Sequence, residues 1–166
     1  MGASTQKSGE LIEQHLMMVG KLVNNAAVCD AILFSTFKVI SGCDEKIDSA
    51  IYFASESLPA KKNVVKRILA VLSDPAETEV VSRIMDGTTD SHTQRNEVSH
   101  ALLRASHDGK QVLAHNPRRQ IQPKRPVTGP SLNALLKEST QAYLDTYRAF
   151  EEFCQKRGIP PTVTLE

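Results

Sequence analysis

Residues 10–42 read ELIEQHLMMVGKLVNNAAVCDAILFSTFKVISG, in which Ile12, Leu16, Val19, Leu22, Val23, Ala26, Ala27, Leu33, Phe37 and Ile40 recur at three- and four-residue steps. That is the spacing of a long amphipathic helix, and Gly42 supplies its stop. Asp44 then stands where an N-cap would, and Ile47, Ala50, Ile51 and Ala54 mark the apolar face of a shorter helix ending near Leu58. Pro59 breaks the pattern. Val64, Val65, Ile68, Leu69 and Leu72 describe a third helix, with Lys61, Lys62, Lys66 and Arg67 on its wet side.

Asp74-Pro75 restarts a helix, with a capping aspartate, proline at the first helical position and Glu77 three residues beyond the cap. Val80, Val81, Ile84 and Met85 give its apolar face. The run Asp86-Gly87-Thr88-Thr89-Asp90 contains poor helix formers and reads as a loop, a kink or a frayed passage inside one long helix. Helical periodicity resumes through Val98, Leu102 and Leu103. Asp108-Gly109 signals a turn, and residues 110–114 suit a short strand. Four prolines between Asn116 and Pro130 mark a surface connection. Ser131 then caps a last helix carrying Leu132, Leu135, Leu136, Tyr143, Leu144, Tyr147, Phe150 and Phe153, until Gly158 and Pro160-Pro161 end it.

The expectation is an all-α bundle of four to five helices with a short strand or hairpin late in the chain. It places a flexible end over 1–9, one helical domain over 10–158 and a tail over 159–166, whose Leu165-Glu166 has the look of a cloning remnant. A chain of 166 residues suits one domain that needs no staple. Cys29, Cys43 and Cys154 are far apart and odd in number, against both a disulfide framework and a thiolate site. Cys29 and Cys154 read as small hydrophobes on helix faces. No run approaches ~18 consecutive apolar residues, so no membrane association and a cytoplasmic location are expected.

Net charge is +1, but residues 109–125 hold Lys110, Arg118, Arg119, Lys124 and Arg125 and no acid. The remainder carries 20 − 5 = 15 basic against 19 acidic residues, a net of −4. A basic edge on a mildly acidic body suits an anion. Arg118, Arg119, Lys124 and Arg125 could contact RNA phosphates, which position a nucleic acid without reading its bases; the plain alternative is a solvated loop. Without aromatic interleaving they offer no stacking platform.

No HExxH, zinc-finger spacing, GxSxG, Walker loop or GxGxxG occurs, so metal, serine-hydrolase, NTPase and dinucleotide chemistry have no motif to stand on. No cofactor is expected. What remains is Arg95-Asn96-Glu97-Val98-Ser99-His100. On a helix Asn96 and His100 share a face at i, i+4. Arg95 lies five residues from His100, about 7.5 Å along the axis and roughly 140° round it. A second copy of the helix across a two-fold axis would complete the set. His100 can carry a proton to or from a 2′-hydroxyl or leaving oxygen, Arg95 can fork a phosphate, and Asn96 can orient the imidazole or hold substrate. His92, two turns before His100, and Ser99 could line the same groove; His107 and His115 read as surface residues.

A run R-N-x-x-x-H on the later long helix of a small bundle resembles the signature of HEPN domains. Arg95 and His100 match the two defining positions and Asn96 the polar residue that follows the arginine. The stretch from Asp48 to Leu72 also looks like the middle of HEPN-like proteins. Their later helix frequently reads RN-x-x-AHG, where this chain has Ser99 for the alanine and Ala101 for the glycine. The likeness of layout spans residues 10–157. It implies a metal-independent endoribonuclease active as a homodimer, with a toxin or defence role and a neutralising partner such as an antitoxin. Members without cleavage keep open a non-catalytic dimeric adaptor or regulator, or an RNA-binding module. For the motif itself the bland reading is two surface residues and a hydrogen-bonded interface histidine.

Overall fold

The computed structural model describes residues 2–72, 75–99, 102–105, 111–114 and 129–163, and the side chains of 13–71, 75–98 and 132–163. Its elements are α1 (Gly2–Ser41), α2 (Glu45–Phe53), α3 (Leu58–Leu72), α4 (Pro75–Ser99), β1 (Leu102–Ala105), β2 (Gln111–Ala114) and α5 (Gly129–Arg157). The fold is all-α in its five helices, with one small antiparallel hairpin whose register pairs Leu102 with Ala114 and Ala105 with Gln111.

Local signals decide most of the helix ends. Gly42 adopts φ 62°, and its N–H bonds the Lys38 carbonyl at 3.1 Å, closing α1 with a left-handed cap. The Asp44 carboxylate accepts the Lys46 N–H at 2.9 Å and opens α2. At the end of α5, Gly158 (φ 65°) bonds Gln155 O at 3.1 Å and Ile159 bonds Cys154 O at 3.0 Å. That is a Schellman motif, and Ile159 folds back onto the core as such motifs require. Helix α1 begins at Gly2. Residues 2–9 hold no proline, and extending an established helix is far easier than nucleating one.

Contacts group the chain into two compact units. One comprises Met1–Ala26 and Ser91–Gln141, the other Ala27–Asp90 and Ala142–Glu166. The physical reason lies in helix length: α1 has 40 residues, about 60 Å at 1.5 Å per residue, more than one small core covers.

The second unit is built around Ile32, Leu33, Phe34, Phe37, Tyr52, Val65, Val80, Val81, Ile84, Phe150 and Phe153, all 2 % exposed or less. The α5 aromatic stripe is therefore core, with Tyr143 and Tyr147 half-buried against it. Cys29 and Cys154 are buried as small hydrophobes, and Cys43 is exposed. The doubtful run at 86–90 is helical throughout. Thr88 Oγ1 bonds Ile84 O at 2.8 Å and Cys29 O at 3.3 Å, and Thr89 Oγ1 bonds Met85 O at 2.7 Å. These hydroxyls turn poor helix formers into interior ties. Arg157 grips Glu77 with both Nε and Nη2, the latter at 2.8 Å from Oε2.

Three expectations for this unit are corrected. Helix α2 ends at Phe53 and buries Asp48 and Tyr52, while Ile47 and Ile51 stay 52 % and 42 % exposed. The Tyr52 ring packs on Phe34 and Phe37 and its hydroxyl donates to Asp30 Oδ1 at 2.9 Å; this large amphipathic anchor outweighs two aliphatic side chains. Ser41 donates to Asp48 Oδ1 at 2.6 Å, supplying the buried carboxylate with a partner. Pro59 lies inside the first turn of α3, where its missing N–H has no role, and Ser57 Oγ accepts the Ala60 N–H as the cap. Lys61 and Lys62 are not on a wet face. Lys61 Nζ meets Asp30 Oδ2 at 2.6 Å beneath the Tyr52 and Phe53 rings, and Lys62 Nζ donates to Thr89 Oγ1 at 2.6 Å.

By length and composition α1 contains, over Glu13–Ser41, a stretch apolar enough to cross a membrane. From Ile32 to Ile40 its apolar residues are the core of the second unit.

Candidate functional site

The Arg95 motif falls in the first unit, on the last turns of α4. A short core holds that end of the helix. Val98, 3 % exposed, packs with Leu22, Leu132 and Leu135, and Met18, Val19 and Leu136 close around them. Asn25 Nδ2 adds a bond to Ser139 Oγ at 3.2 Å. Ser91, Arg95 and Val98 follow one another at four and three residues, so Val98 and the fully buried Ser91 fix which side of α4 turns inward.

Arg95 is half-buried on that side, with its guanidinium reaching out to the exposed Asn96: Nη1 donates to Asn96 Oδ1 at 2.9 Å. The arginine is thus half-buried and held at its head by its neighbour, through one of the five N–H donors a guanidinium carries. His92 is half-buried one turn earlier. Ser99 is the last residue of α4, and its side chain, like all of His100, lies outside the described residues. The same is true of Arg118, Arg119, Lys124 and Arg125, and of His107 and His115. The structure therefore brings Arg95 and Asn96 together and places them on a helix. Leu102 and Leu103, expected to continue that helix, are strand residues of β1; pairing with β2 meets their backbone groups instead.

Sequence reasoning passed over His15. It is 2 % exposed, and it shares the inward face of α1 with Val19 and Leu22, at four and seven residues, which pack on Val98. Burial pushes its pKa below the usual histidine value, so the imidazole is neutral near pH 7. The signal was its position within the apolar stripe, where only core residues were sought. Its Nε2, Ser91 Oγ and Gln94 Oε1 are buried atoms with no hydrogen-bond partner among the described residues.

Among the described residues no group of three or more His, Cys, Asp or Glu side chains gathers as metal ligands would. No protein-family model matches the chain, and no match is found among curated proteins or solved structures. Any functional reading stands on the chain's own residues.

Proposed function

We propose that the chain is a metal-independent endoribonuclease of the HEPN type, acting as a homodimer in a toxin or defence setting. The observation that supports this most directly is the Arg95–Asn96 pair: a half-buried arginine on the last turns of a well-packed helix, its guanidinium bonded to the exposed residue beside it, five residues before His100 in the sequence. Arg95 would hold the scissile phosphate and favour the charge of the transition state. His100 would exchange a proton with the 2′-hydroxyl or the leaving oxygen, and Asn96 would steer the guanidinium. The basic residues Arg118, Arg119, Lys124 and Arg125 would add phosphate contacts that fade with salt. Purified protein should cleave RNA in excess EDTA, and His100→Ala should abolish the cut. Undiminished cleavage by that variant would remove the assignment.

A second reading, a non-catalytic adaptor or regulatory module, is favoured by the outward apolar side chains of α2, Ile47, Ile51 and Phe53. It requires a stable macromolecular complex that Ile51→Asp weakens, with no RNA cleavage by the native chain.

A further inference from the structure

We draw no further inference here: the strongest candidate, the exposed apolar surface patch that Ile47, Ile51 and Phe53 form on α2 in the second unit, already carries the adaptor reading, and nothing in the structure shows what covers it.

Discussion

Arg95 Nη1 donates to Asn96 Oδ1 at 2.9 Å, joining two consecutive residues that sit side by side on α4, one half-buried and the other exposed. A side-chain bond between such neighbours does little for the fold, since an exposed hydrogen bond contributes about 1 kcal/mol or less. Its consequence is direction: the bond fixes where the guanidinium fork points. Under the proposed ribonuclease function, Arg95→Ala should cost at least a hundredfold in RNA cleavage, about the worth of one electrostatic transition-state contact. Arg95→Lys should recover little, because lysine keeps the charge but not the planar fork. Asn96→Ala should lose about tenfold, the value of one charge-assisted bond. All three should melt close to wild type. Cleavage at wild-type rate by Arg95→Lys would reduce the pair to a surface contact.

His15 predicts a pH dependence of stability. Burial lowers its pKa from the ordinary 6.5. The unfolded chain therefore binds a proton at a pH where the folded chain still resists it, and stability falls as pH drops below about 6.5. Above that value both states are neutral and the residue adds no slope. His15→Leu removes the titrating group and a buried nitrogen that has no partner among the described residues, so it should stabilise the protein by about 1 kcal/mol near pH 7. The gain should be larger near pH 5. Urea unfolding at the two pH values measures it, and an unchanged pH slope in His15→Leu would place the acid sensitivity elsewhere.

Tyr52, Asp30 and Lys61 form a tie among α1, α2 and α3. The hydroxyl and the ammonium take one carboxylate oxygen each, at 2.9 and 2.6 Å, and Lys61 lies 4.8 Å above the Tyr52 ring. Burial, then the Asp30 charge and hydrogen bond, push the Tyr52 pKa far above its ordinary 10.0. The folded state keeps this proton after the unfolded chain has released it, so stability falls as pH rises past about 10. In an absorbance titration one of the three tyrosines should ionise only together with unfolding. Tyr52→Phe should cost about 1 kcal/mol and Lys61→Met more, roughly 2–3 kcal/mol, because it leaves the Asp30 carboxylate short of a countercharge. A Lys61→Met protein as stable as wild type would show that water serves Asp30 equally well.

What the sequence disclosed follows from the range of each interaction. Gly42, Asp44 and Gly158 were legible as helix ends because a cap is a contact between residues two to five apart. The core stripes of α1 and α5 were legible because they repeat over many turns. Helix α2 was misread because nine residues make too few turns for periodicity to decide a face. The anchor that does decide it, Tyr52 on Asp30, joins residues 22 apart. Lys61 was assigned to solvent for the same reason, its partner being 31 residues away. In the candidate site, Arg95 and Asn96 were found through a local motif, whereas His15 has no local signature; it emerges only once Val19 and Leu22 are seen packed on Val98. His100 and the basic residues after Asn116 lie outside the described residues and stand as the sequence left them.

Gly87 offers a test of how tightly the second unit is packed where α4 passes α5. Alanine is the better helix former by about 1 kcal/mol, so at an open position Gly87→Ala would stabilise. Here the new methyl would fall 2.1 Å from Thr146 Oγ1 and 3.2 Å from the Ala142 carbonyl. The Thr146 hydroxyl is itself held at 2.7 Å from Ala142 O and cannot rotate away without losing that bond. Overpacking of this kind costs about 1–3 kcal/mol, which outweighs the gain in propensity. Gly87→Ala should therefore lower the melting temperature. Thr146→Ala removes the obstructing oxygen but not the Ala142 carbonyl, so adding it to Gly87→Ala should recover part of the loss. The coupling between the two changes, read from a double-mutant cycle, should exceed about 0.5 kcal/mol. Simple additivity would mean that α4 shifts to admit the methyl, and that the glycine is there for another reason.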